Sequence, residues 1–105
     1  MDLANLPPAA KLAALIEAGR AANPHIRHGR GHLLHNGAAC AIGFAGLALG
    51  VEKGIEEAVA RSIGMEWHEY VFRLGVHVVR VNDCGNSIES ICRSLREGEL
   101  AKVTA

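Results

Sequence analysis

Four histidines and a cysteine fall within the stretch HIRHGRGHLLHNGAAC, residues 25–40. Their spacing is His25-x2-His28-x3-His32-x2-His35, with Cys40 in reach if the intervening chain folds back. Neutral imidazole and thiolate suit zinc, and four such donors can close a structural tetrahedron that offsets the ordering entropy of a glycine-rich loop. The zinc reading takes His25, His28, His32 and Cys40 as ligands. Against it, the paired-cysteine spacing of zinc fingers is missing, and on a strand His32 and His35 would point to opposite faces. The competing reading is an exposed basic loop. No acidic residue lies between Glu17 and Glu52, while Arg20, Arg27 and Arg30 accompany the histidines. Such a segment gains positive charge below about pH 6.5, the reference value for histidine. On that reading Arg27, Arg30, His32 and His35 form a surface for a phosphate or an acidic partner, and no cofactor is required.

Three further constellations bear on catalysis. Cys40 follows small residues near an expected helix start, where the helix dipole lowers a thiol pKa, and His77 then Asn82 or Asp83 follow in the order of a cysteine-hydrolase triad. Order alone is inexpensive with six histidines in the chain, and a free cysteine more commonly packs as a small hydrophobe. WHEYVF begins like the H-E-x-x-H metalloprotease signature, but position 72 is Phe, so the second ligand is missing. In VNDCGNS the oxygen donors Asn82, Asp83, Asn86 and Ser87 lack the spacing of a calcium loop. Asn82 and Asp83 are expected to tie down a helix-helix turn through side-chain to backbone hydrogen bonds, with Gly85 in the turn.

The chain that must position these groups has 105 residues, half of them apolar, which suits one domain with a small core. Eleven basic side chains balance eleven acidic ones, so net charge supports neither nucleic acid nor an anionic membrane as partner. Three cysteines without a CxxC pair, and no secretory pattern at the start, favour the cytoplasm over an extracellular disulfide framework. The longest apolar run, residues 38–51, is 14 residues long, short of the roughly 20 that span a bilayer.

The fold expected is mainly α, a compact helical domain of four to five helices with a small β-hairpin near residues 31–41. Prolines and the Leu12, Leu15, Ile16 stripe predict a helix over 8–21, stopped by Asn23-Pro24. Residues 25–31 read as an exposed connection, and Asn36-Gly37 as the type I′ turn of the hairpin. AIGFAGLALG has no polar face and should be the central buried helix, its small residues admitting neighbouring backbones. A plain amphipathic helix follows over 55–63. Trp67, Val71, Leu74, Val78 and Val81 then favour a helix over 66–82 against the strand propensity of VHVVRV, with Gly75 as its weak point and Trp67 and Tyr70 at the core edge. Asn86 and Glu89 have capping-box spacing ahead of a last helix over 88–98.

GAACAIGFAGLALG, followed some thirty residues later by VNDCGNSIESICRSL, resembles small bacteriophage and prophage proteins that carry a Cys-Ala-(Leu or Ile)-Gly segment and a later Asn-Asp, Gly, Ser, Ile segment. The resemblance covers about residues 31–96. It singles out Cys40, Ala41, Ile42 and Gly43, then Asn82, Asp83, Ser87 and Ile91, as framework positions. It implies a phage-related protein acting inside a bacterial cell on a host or defence component, with no established activity attached. The function expected is therefore a small non-enzymatic binding or regulatory protein with an unidentified protein partner. A zinc-stabilised module and a cysteine hydrolase using Cys40 and His77 are the alternatives. A homodimer would cover the all-apolar helix if the small core left it exposed.

Overall fold

The computed structural model describes residues 3–31 and 33–98, and it is mainly helical with a small three-stranded sheet. Helix α1 spans Pro8–Ala22, with proline at its first turn and the Asn23 side chain closing its end through a hydrogen bond to the Gly19 carbonyl at 2.8 Å. Its apolar stripe, Leu12, Ala13, Leu15 and Ile16, is buried. Helix α2, Ala41–Leu49, runs through the middle of the molecule, and every residue of Ala41, Ile42, Gly43, Phe44, Ala45 and Gly46 is buried. A helix without a polar face can only sit in the interior. The protomer's own elements cover it, so this helix supplies no reason for a second copy.

Close backbone approach lets so small a chain enclose α2. A β-carbon on Gly19 would lie 1.7 Å from the Phe44 carbonyl oxygen, and one on Gly43 would lie 1.7 Å from that of Leu33. Glycine is required at both positions because the obstacle is backbone. Helix α1 thus presses on one side of α2 and the chain at Leu33 on the other.

The expected hairpin is present: β2, Leu34–His35, pairs antiparallel with β3, Ala38–Ala39. Both turn residues take positive φ, 49° at Asn36 and 75° at Gly37, as a type I′ turn requires. The connection before it is more ordered than its composition suggests. Strand β1, Arg27–His28, adds parallel to β3, giving the order β1-β3-β2. In register, Arg27, Ala38 and His35 form one row, and His28, Ala39 and Leu34 the next. Rows alternate between faces, and Ala39 is fully buried. His28 and Leu34 therefore share the core face, and Arg27 and His35 the outer one.

Helix α3, Ile55–Ile63, packs Ile55, Val59, Ala60 and Ile63 inward. The segment after it resolves as helix throughout: α4, Trp67–Tyr70, passes through a π-turn, Val71–Gly75, into α5, Val76–Asp83. Gly75 sits at the expected weak point, and the π-turn there changes which aromatic enters the core. Tyr70 is wholly buried, not at the core edge, whereas Trp67 is 43% exposed and stacks on it at 5.9 Å. The Tyr70 ring occupies the space a side chain at 75 would need, 2.7 Å from the β-carbon position. Helix α6, Ile88–Glu97, lays Ile88, Ile91, Cys92 and Leu95 against the core. Its cap is Ser87, whose hydroxyl accepts from the Ser90 N–H at 3.1 Å. Asn86, the cap expected from spacing, donates instead to the Val81 carbonyl at 2.8 Å. Among the described residues no helix is long and apolar enough to cross a membrane.

The glycine at 19 gives a direct check of this packing. Glycine to alanine inside a helix ordinarily stabilises by about 1 kcal/mol. Gly19→Ala should instead destabilise by about 3 kcal/mol, the upper range for overpacking, because α1 must move off Phe44. Urea titration of the variant measures it, and a gain in stability would show that α1 does not press on α2.

Candidate functional site

Three of the framework residues, Cys40, Asn82 and Asp83, converge where β1, the start of α2 and the end of α5 meet. Asn82 is fully buried. Its Oδ1 accepts from the Ala41 backbone N–H at 2.9 Å and lies 2.6 Å from His28 Nε2. Its Nδ2 donates to the Gly29 carbonyl at 3.0 Å and to Asp83 Oδ1 at 3.3 Å. Both hydrogens and both acceptor positions of the amide are used. Ala41 can only donate and Gly29 can only accept, so the amide orientation is determined. Oδ1 then requires a hydrogen on His28 Nε2. Asp83 Oδ1 also accepts from the Gly31 N–H at 2.9 Å. The pair does tie backbone down, but it grips β1 and the start of α2 and not the helix-helix turn that its neighbours suggest.

Cys40 caps α2: its sulfur accepts from the Gly43 N–H at 3.5 Å. The residue is 4% exposed, and burial raises its thiol pKa above the ordinary value, outweighing the lowering by the backbone N–H groups of Gly43 and Ile42. A nucleophilic thiolate needs the opposite shift and a base within hydrogen-bond reach. His77 makes no hydrogen bond to Cys40, and its Nδ1 is buried without a partner among the described residues. Cys40 lines a cavity of about 250 Å3 with Gly31, Leu33, Glu56, Val79 and Asp83. Burial, then the neighbouring Glu57 charge, raises the Glu56 pKa.

The histidines disperse. His25 is exposed, His28 is half-buried against Asn82, and His35 lies on the outer row of the sheet beside Asn36, whose Nδ2 is 3.0 Å from its ring. His32 lies outside the described residues. Among the described residues no group of three or more His, Cys, Asp or Glu side chains is placed to hold a metal ion. Of the basic residues expected to bind together, Arg27 lines a groove with His28, whereas the Arg30 guanidinium lies against Gly85, 2.6 Å from its β-carbon position.

That groove, about 660 Å3, runs between α1, β1 and the start of α6 and is lined by Glu17, Arg20, Arg27, His28 and Glu89 around Ala21, Pro24, Ile26 and Ile88. Its size is in the range of ligand sites, and its wall is part apolar and part charged. Arg96 grips both oxygens of Glu17 at 2.6 and 2.7 Å, and this hydrogen bonding holds the Glu17 carboxyl below its ordinary pKa. Arg20 pairs with Glu89 at 3.1 Å. The backbone N–H at Glu89, then Arg20, lowers that carboxyl's pKa too. Both carboxylates are thus already matched. Arg27 has only a 3.4 Å bond to the Asn36 carbonyl oxygen and no ion pair among the described residues. The sequence groups Arg20 and Arg27 in one basic segment but gives no sign of Glu17, Ile88 and Glu89 as their neighbours. Glu17, Arg20 and Ala21 do share one face of α1 by spacing, while the arrival of α6 beside them has no local signal.

Two outcomes follow. Asn82→Ala leaves the Ala41 N–H and the Gly29 carbonyl without their partner, and should destabilise by about 3 kcal/mol in urea titration. A loss below about 1 kcal/mol would mean that the network is dispensable. In the native protein, alkylation at neutral pH should label exposed Cys84 quickly and leave Cys40 and Cys92 until denaturant is added. Burial suppresses both thiolates, pushing the Cys92 thiol up to about 12. Mass mapping of the labelled sites reads this out, and Cys40 reacting as fast as Cys84 would contradict a purely capping role.

No family model, curated protein or solved structure matches the chain.

Proposed function

We propose that the protein is a non-enzymatic binding protein that receives an acidic segment of a protein partner in the groove between α1, β1 and α6. The observation that carries this reading is Arg27, a cation without an ion pair among the described residues, beside a partly apolar groove in which each carboxylate already has its arginine. An incoming carboxylate meets Arg27 directly, and the aliphatic part of its chain meets Ile26, Pro24 and Ile88. The Arg20–Glu89 pair is 42% and 72% exposed, and such pairs contribute about 0–1 kcal/mol. What the pair does for binding is keep the Glu89 carboxylate matched while Arg27 takes the ligand. Among the described residues no imidazole bonds to Cys40, which favours binding over thiol catalysis. The resemblance to phage and prophage proteins supports a bacterial host or defence component as the source of the acidic segment.

The test is an NMR titration with a hexaglutamate peptide and, separately, hexalysine. Saturable shifts are expected at Arg20, Ala21, Arg27, His28 and Glu89 with the acidic peptide only, weakening as salt is added. Arg27→Ala should weaken binding about fivefold. Shifts that fail to saturate, or binding indifferent to Arg27→Ala, would sink the reading.

A further inference from the structure

The imidazole of His28 is held at one nitrogen only. Nε2 lies 2.6 Å from Asn82 Oδ1, and the amide orientation fixed by Ala41 and Gly29 makes Nε2 the donor. Nδ1 makes no hydrogen bond among the described residues. A second proton on the ring therefore goes to Nδ1 and leaves the bond to Asn82 intact, so the ring can gain a charge without disturbing the junction. Histidine is the side chain that ordinarily changes charge between about pH 5 and 8. This one stands in the groove: β1 is an edge strand of the sheet, and both of its side chains, Arg27 and His28, reach the groove beside α1.

We propose that His28 is the second anchor for the acidic segment, and that proton uptake on its ring makes capture stronger as pH falls. This role rests on the groove being the binding site, and it names the charge that regulates it. The groups facing His28 decide the sign. Glu17 and Arg20 come from α1, Glu89 from α6, and Arg27 from its own strand. Glu17 is held by Arg96, and Glu89 by Arg20. Asn82, from α5, is neutral, and Asp83 bonds to the other end of its amide. Helix α2 brings the Ala41 N–H to the same oxygen, and β3 contributes only Ala38 and Ala39. With both carboxylates matched, a neutral ring leaves Arg27 as the one unbalanced charge among the described lining residues, and a protonated ring makes two. An anionic ligand is then held more tightly at lower pH, whereas a cationic one is repelled more strongly.

The test is the affinity of hexaglutamate, whose carboxylates stay ionised over this range, by NMR titration at constant salt at about pH 8 and about pH 6. The pH titration of the His28 ring proton is followed alongside, with and without saturating peptide. The unaltered protein should bind about threefold more tightly at the lower pH, the gain expected from one added ion pair near the surface. Peptide should raise the midpoint of the His28 titration, since a ligand that prefers the protonated ring must by linkage increase its proton affinity. His28→Gln keeps an N–H for Asn82 and cannot titrate, so its affinity should be the same at both pH values, with circular dichroism confirming its fold. The midpoint, read in the unaltered protein, decides the matter should that variant fail to fold. Equal affinity at both pH values in the unaltered protein, a pH response that survives in His28→Gln, or a midpoint unmoved by peptide would each overturn the role of His28 and leave the groove in place. No saturable binding at either pH would overturn the groove as well.

Discussion

The buried amide of Asn82 is the constraint on which the rest of the arrangement depends. Strand β1 has only two residues, too short a ladder to hold a connection in place by itself. The residues around it offer the core little beyond Ile26, which is only partly buried. Asn82 compensates by holding the Gly29 carbonyl, the His28 ring and the first N–H of α2 at once. A polar group so deeply buried is tolerable because none of its hydrogen-bonding capacity is left over. Removing any of the three partners turns it into a liability, which makes the junction cooperative.

That junction also decides what the histidine-rich stretch can do. Among the described residues, Arg27 and His28 both reach the groove beside α1, whereas the Arg30 guanidinium lies against Gly85 and His25 and His35 stand elsewhere on the surface, so the basic groups are not presented as one surface. His35 shares a row with Arg27, but Ala38 separates them. Across that gap the strands on which they sit lie about 10 Å apart. The charge cluster that looks continuous in sequence is thus dispersed by the fold. What remains for recognition is the side where Arg27 joins a face of α1, and there the carboxylates of Glu17 and Glu89 are already satisfied by Arg96 and Arg20.

Local features were legible in the sequence. The helix over 55–63 and the Asn36-Gly37 turn were readable because amphipathic spacing and turn chemistry act over a few residues. The central helix was readable because a segment with no polar face has one possible location. Cys40, Gly43, Asn82, Asp83 and Ser87 each make a contact that positions backbone. Cys40 and Ser87 cap helices, Gly43 admits the Leu33 backbone, and Asn82 and Asp83 anchor β1. Those roles were not readable, because Asn82 reaches Ala41 and Gly29 across 41 and 53 residues of chain. Strand β1 escaped for the same reason, since two residues carry no period and their partner lies beyond the hairpin turn. Capping by Ser87 in place of Asn86 reflects a shift of one residue, once Asn86 is recruited by the Val81 carbonyl.

The helix from α4 to α5 shows how one backbone irregularity sorts a mostly apolar sequence into an inner and an outer face. Tyr70, Leu74, Val78 and Val81 are buried. Residues two positions from such a row stand about 200° around a helix from it, so Phe72 and Val76 must face outward once Tyr70 and Leu74 face in. The π-turn lets Tyr70 and Gly75 approach each other, because the ring fills space that any β-carbon at 75 would occupy. This geometry leaves the Tyr70 hydroxyl buried without a hydrogen-bond partner among the described residues, an arrangement that costs about 1–3 kcal/mol. Burying the aromatic ring offsets it, since a fully buried ring of this size contributes about 2–3 kcal/mol. The balance accounts for Tyr70 inside and for where Phe72 and Val76 point.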